Sequence, residues 1–138
     1  MAMVEISFHK GLIGFEDYHD FTLTWEAKRA PFSILEAKDE PLHFILVPIC
    51  EITPDYAFEA TQSEEELLGY QDGDECVLYA IVTLPADPTG MTANLQGPVV
   101  LNLTRQRGIQ VIRSDGELRY PVLEGYQRTV ALREQGKC

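Results

Sequence analysis

The side chains able to do chemistry in this chain are few and scattered. The histidines are His9, His19 and His43 and the cysteines Cys50, Cys76 and Cys138. No two histidines stand at the H-x-E or H-x-x-x-H spacing that puts two ligands on one face, and no C-x-x-C pair occurs. An odd number of widely spaced cysteines argues against a disulfide framework and against a zinc site. Cys50 and Cys76 lie in apolar runs and are expected as small core residues, and Cys138 as a terminal thiol. G-x-S-x-G, G-x-G-x-x-G and P-loop signatures are missing from the sequence. "HKGLIGF" (9–15) has a G-x-x-G spacing but precedes no helical pattern, which makes it a poor phosphate cradle. "DGDE" (72–75) matches part of a calcium loop without the remaining ligands or the closing Glu, so an acidic turn that starts a strand is expected. An enzyme would have to assemble its site from the dispersed histidines or cysteines.

Charge is more informative. The 138 residues carry a formal charge of −11, and the imbalance is local. From Asp39 to Thr104 there are twelve acidic residues and no Lys or Arg, while seven of the eleven basic residues follow Thr104. Such a span repels phosphate backbones, so no direct nucleic-acid partner is expected. It would attract a basic protein. Solubility alone is the other reading of an acidic surface. The acids grouped most densely are Glu64, Glu65, Glu66, Asp72, Asp74 and Glu75, and these are the candidate partner contacts. No apolar run approaches the ~20 residues that cross a bilayer, and the N-terminus lacks a signal-peptide pattern. A soluble cytoplasmic protein with no membrane contact is the expectation.

The elements that must position these groups are mostly strands. "VEISF" (4–8), "FTLTW" (21–25), "FSILEA" (32–37), "LHFILVPIC" (42–50), "YAFEA" (56–60), "ECVLYAIVTL" (75–84), "VVLNLT" (99–104) and "IQVIRS" (109–114) read as strands from alternation or continuous apolarity between turn signals. "SEEELLG" (63–69) predicts a short helix capped by Ser63 with Glu66 three residues on, ended by Gly69. The fold class is mainly β: a small antiparallel β-barrel-like domain with one short helix, a single domain over residues 1–138 with an extra C-terminal tail from about 122. A barrel can also hold one small molecule, with Trp25 and several tyrosines as lining. Between the sixth and seventh of these strands, "PADPTGMTANLQGP" (85–98) is too long for a plain hairpin. Asp87 and Asn94 can each bond the backbone ahead of them and fix a shape. Asn94, Leu95 and Gln96 form a second candidate contact strip.

Four stretches, in this order, resemble the FliW family of flagellar assembly factors: "FHKGLIGF" (8–15), "FILVP" (44–48), "YAIVTLPADP" (79–88) and "TANLQGPVVLN" (92–102). "RGIQVI" (107–112) is similar to the family's following strand. The likeness spans roughly residues 4–121, and its specificity lies in the ordered set. The resemblance implies a non-catalytic β-barrel-like protein without a cofactor. It also implies binding to flagellin in the cytoplasm and to CsrA, a small basic RNA-binding translational repressor. Free protein would hold CsrA off flagellin mRNA, and flagellin would capture the protein and release the repressor. The family has a further strand before the first motif. With only "MAMVEIS" there, the first barrel strand is expected to be short or missing, leaving an open edge.

Overall fold

The computed structural model describes residues 2–136. Among them eight strands are formed: β1 (Ala2–Ser7), β2 (Asp20–Trp25), β3 (Ser33–Ala37), β4 (His43–Pro48), β5 (Cys76–Thr83), β6 (Thr92–Asn102), β7 (Arg107–Gln110) and β8 (Tyr120–Pro121). The sheet order is β5-β4-β3-β2-β1-β7-β6-β8, and a further β5–β6 pairing closes seven strands into a barrel. The first strand is present in full. All six residues of β1 pair with β2, and Ser7↔Arg107 joins it in parallel to β7.

Alternation explains the barrel. Phe21 and Leu23 of β2, Leu35 of β3, Leu46 of β4, and Val99 and Leu101 of β6 turn inward with Phe8 and Leu12, and all are nearly or fully buried. The interior is therefore filled by side chains, and Trp25 lies at the rim, 40 % exposed. Close packing reaches the backbone at Gly108, where a Cβ would stand 2.6 Å from the Phe8 ring. "HKGLIGF" is a tight turn: Gly11 has φ +65°, and a Cβ there would lie 2.7 Å from Glu16 Cα. No other residue fits both demands at so small a cost.

Four expectations change. "YAFEA" makes no strand: Tyr56, Phe58 and Ala60 alternate inward as half-buried residues without a ladder. The second half of the supposed long loop is strand, because β6 runs eleven residues from Thr92. Its excess length is a bulge in which Asn94 pairs with Ile81, Val99 with Tyr79, and 95–98 lie opposite Ala80 alone. The C-terminal tail is a second helix, α2 (Val122–Glu134), whose Val122, Gly125, Tyr126 and Thr129 keep helical spacing toward the barrel. Gly125 lets it come close, since a Cβ there would sit 2.6 Å from Ile52 O. Cys50 and Cys76 are exposed rather than core residues, because both stand where a strand begins or has just ended. Cys138 lies outside the described residues.

Candidate functional site

The acidic span converges on helix α1 (Gln62–Leu68), which packs on β7. The helix starts two residues earlier than the Ser63 cap would place it. Thr61 Oγ1 accepts from Glu64 N–H at 3.2 Å, and Thr61 N–H donates to Glu64 Oε1 at 2.9 Å, a reciprocal capping box. With three consecutive glutamates, Thr61–Glu64 and Ser63–Glu66 satisfy the same spacing rule; a distant residue decides between them. Arg113, beyond β7, donates to both Glu64 oxygens at 2.7 and 3.1 Å and to Glu59 O at 3.1 Å. Its guanidinium also stacks 4.9 Å from the Phe58 ring centre. These hydrogen bonds hold the Glu64 carboxyl below its usual range and raise Arg113 above its own.

The other end of α1 is tied by Asn102, which is fully buried on β6. Gly69 closes the helix at φ +62°, as expected. Asn102 Nδ2 donates to Leu68 O at 3.1 Å and to Asp74 Oδ2 at 3.0 Å, and its Oδ1 accepts from Arg105 N–H at 3.1 Å. Arg105 Nε adds 3.1 Å to the same Asp74 oxygen, and Gln71 N–H adds 2.9 Å. The Asn102 and Arg105 hydrogen bonds take the Asp74 pKa down to about 2. "DGDE" is thus the turn that opens β5.

The six candidate acids therefore separate. Glu64 and Asp74 are engaged within the molecule. Glu65, Glu66, Asp72 and Glu75 have no cation partner among the described residues; Glu66 accepts only from Gln62, at 3.5 Å. Glu65 and Glu59 rim a groove floored by Phe58, Leu68, Leu78 and Val100. Glu75 rims a neighbouring groove lined by Trp25, Phe32 and Tyr79. Asn94, Leu95 and Gln96 lie elsewhere, in the β6 bulge. Asn94 Oδ1 accepts from the N–H groups of Gln96 and Gly97 at 2.9 and 3.1 Å, the Asx turn anticipated. Leu95 is buried, and its carbonyl accepts from Tyr56 Oη at 2.9 Å, so its side chain is not available as a contact.

The histidines do not meet. His19 shares a 2.9 Å hydrogen bond with Phe8 O, and His9 and His43 are exposed. Among the described residues no group of three or more His, Cys, Asp or Glu could hold a metal ion. Although Cys76 is exposed, partial desolvation at the groove wall raises its pKa, with Asp74 adding to it, which disfavours the thiolate. No helix among them is long and apolar enough to cross a membrane. Sequence reading missed Arg113 and Asn102 as the residues that shape the site. Nothing in the sequence near Glu64 or Asp74 announces a partner roughly 30 to 50 positions away.

The seven-stranded barrel with a filled interior and two helices has counterparts among known proteins. The family model for the FliW protein matches residues 2–123. This chain belongs to the FliW family. It is 39 % identical over 108 residues to the flagellar assembly factor FliW of Geobacter sulfurreducens, covering 78 % of this chain and 67 % of that one. It is 37 % identical to that of Lachnospira eligens, covering 86 % and 83 %. Caldanaerobacter subterraneus has a relative of the same description at 32 %, covering 86 % and 82 %. A solved structure described as the crystal structure of the flagellar assembly factor FliW superposes with a TM-score of 0.74 at 29 % identity, over 84 % of this chain and 82 % of that one. The family match ends at residue 123, so nearly all of α2 lies beyond it.

Proposed function

We propose that this FliW-family chain is a flagellar assembly factor that works by binding proteins in the cytoplasm, with flagellin and the repressor CsrA as its partners. The observation that carries the reading is the state of the acids around α1. Glu59, Glu65, Glu66, Asp72 and Glu75 remain without an ion-pair partner among the described residues, and Glu59, Glu65 and Glu75 border two apolar grooves. Free carboxylates beside apolar floor suit a basic protein surface better than they suit a catalytic site, which needs convergent acid, base or nucleophile. CsrA is a basic RNA-binding protein. Docked here, it would bring its RNA into an unfavourable field, which supports antagonism of the repressor. Flagellin capturing the same protein would then link flagellin synthesis to assembly.

Size-exclusion chromatography with the host's CsrA and flagellin, separately and together, tests this. Co-elution with both is the expected result, and failure of both to comigrate removes the functional reading. Raising ionic strength from about 0.05 to 0.5 M should weaken CsrA binding by about an order of magnitude. An affinity that ignores salt removes the acidic face as the contact.

A further inference from the structure

The strand β5 is paired on both sides over only part of its length. Toward β4 the ladder stops at Pro48↔Tyr79, whereas toward β6 it continues to Cys76↔Asn102. After Pro48 the chain turns off into a 3-10 turn at Ile49–Glu51. Cys76, Val77 and Leu78 therefore have a strand neighbour on one side only. The direction of their backbone groups follows from Glu75. Its carbonyl accepts from Leu103 N–H at 2.8 Å and its N–H donates to Thr104 Oγ1 at 2.9 Å, so Glu75 faces β6. Peptide groups alternate along a strand. The N–H and C=O of Cys76 and Leu78 point to the side that β4 has left.

The side chains at this edge alternate as well. Cys76 and Leu78 line the groove beneath Glu59 and Glu65, of about 430 Å³. Val77 and Tyr79 line the groove with Trp25 and Glu75, of about 350 Å³, and Val77 borders both. A strand laid beside Cys76–Leu78 would send successive side chains alternately into these two grooves. Main-chain hydrogen bonds plus pockets for alternate side chains are the requirements of strand addition.

Resting on the protein-binding reading above, we infer that the partner contributes an extended segment, alternating apolar with Lys or Arg, that adds as a strand to the Cys76–Leu78 edge of β5. Charge selects this occupant. Glu59, Glu65 and Glu75 surround the edge without a cation partner among the described residues. A second copy would bring its own acids instead: Glu75 with β5, or Glu5 with the β7-facing side of β1, where Ser7 alone pairs. Like charges across a strand pair are unfavourable.

The test uses the full chain and a capped octapeptide of alternating Val and Lys, with the Val/Glu counterpart as control. Trp25 is the chain's one tryptophan and lies in the second groove, so its emission reports occupancy. The expected result is saturable binding of the Val/Lys peptide only, with slowed hydrogen exchange at the Cys76 and Leu78 amides. Cys76→Pro removes one edge donor while leaving the β6 side untouched and should weaken binding about tenfold, whereas Cys76→Ala should not. Circular dichroism and melting of both variants establish that they fold. Equal binding of both peptides, or no binding up to about 1 mM, overturns the proposal. So do complexes with CsrA or flagellin that form while both amides exchange as fast as in the free chain, an outcome that leaves protein binding itself standing.

Discussion

Two corners of this barrel are shaped by opposite means. At one, the "HKGLIGF" turn and the β6 bulge are fixed mainly by amide groups, with one local carboxylate, Glu16, accepting from Gly14 N–H at 2.9 Å. Gln110 Oε1 accepts from Ile13 N–H and Gln110 Nε2 donates to Gly97 O, both at 2.9 Å, and Asn94 caps the bulge from within. At the other, α1 and the segments around it are fixed by charged side chains reaching across the sequence, Arg113 to Glu64 and Arg105 to Asp74. The first corner uses no ion pair between distant residues among those described. The second consumes some of its acids internally and leaves the others unpaired. That division separates structural acids from available ones, and each substitution below tests it.

The largest effect is expected at Asn102. Asn102→Ala removes the donor to Leu68 O and Asp74 Oδ2 and the acceptor for Arg105 N–H at a fully buried position, which should cost about 3 kcal/mol in urea unfolding. A loss below about 1 kcal/mol would mean the knot is dispensable. Acid should undo the same corner. The Asp74 pKa is about 2 in the folded chain and Glu64 is also lowered. Their stabilisation is complete above the unfolded carboxylate values near 4 and is lost as pH falls toward 2. The urea midpoint measured from pH 5 to 2 should drop over that window, and Asp74→Asn should flatten the drop. An unchanged slope in the variant would remove Asp74 from the account.

Next comes Arg113→Ala, which removes the fork on Glu64 and the stack on Phe58. With both partners partly exposed, solvent screening limits the cost to about 1.5 kcal/mol. Arg113→Lys should recover less than half, because an ammonium cannot make the paired contacts. Full recovery would show that charge alone matters. Asn94→Ala, the matching change in the uncharged corner, should cost about 1 kcal/mol through the lost Asx turn and be insensitive to salt. Salt dependence equal to that of Arg113→Ala would erase the contrast between the corners.

The same contrast explains what could be read from the sequence. Most barrel strands and the Asn94 turn were legible because alternation and turn chemistry act over a few residues. The Glu64 cap was ambiguous because Thr61 and Ser63 fit one rule equally, and Arg113, 49 positions away, made the choice. "YAFEA" showed the inward alternation of a strand but not the absence of a ladder partner, which depends on distant elements. α2 was hidden because its contact face includes Gly125 and Thr129, small or polar residues that carry no apolar signal. The candidate acids were found as a group; which of them are free depended on Asn102, Arg105 and Arg113, and composition cannot show that.

The smallest effect on stability is expected where the functional effect should be large. Glu66 is exposed on α1, with one 3.5 Å contact from Gln62, and Glu65 borders the apolar groove. Glu65→Lys and Glu66→Lys should each change unfolding free energy by less than about 0.5 kcal/mol, as substitutions away from caps and ion pairs do. Each should nevertheless weaken CsrA binding severalfold at low ionic strength, and the difference from wild type should shrink as salt rises. Glu64→Gln supplies the reverse pattern, because its carboxylate is already committed to Arg113: stability falls while the salt slope of binding stays close to wild type. If Glu64→Gln and Glu65→Lys instead moved stability and binding together, the acids around α1 would act as one diffuse field, and the distinction between committed and free carboxylates would have no functional meaning.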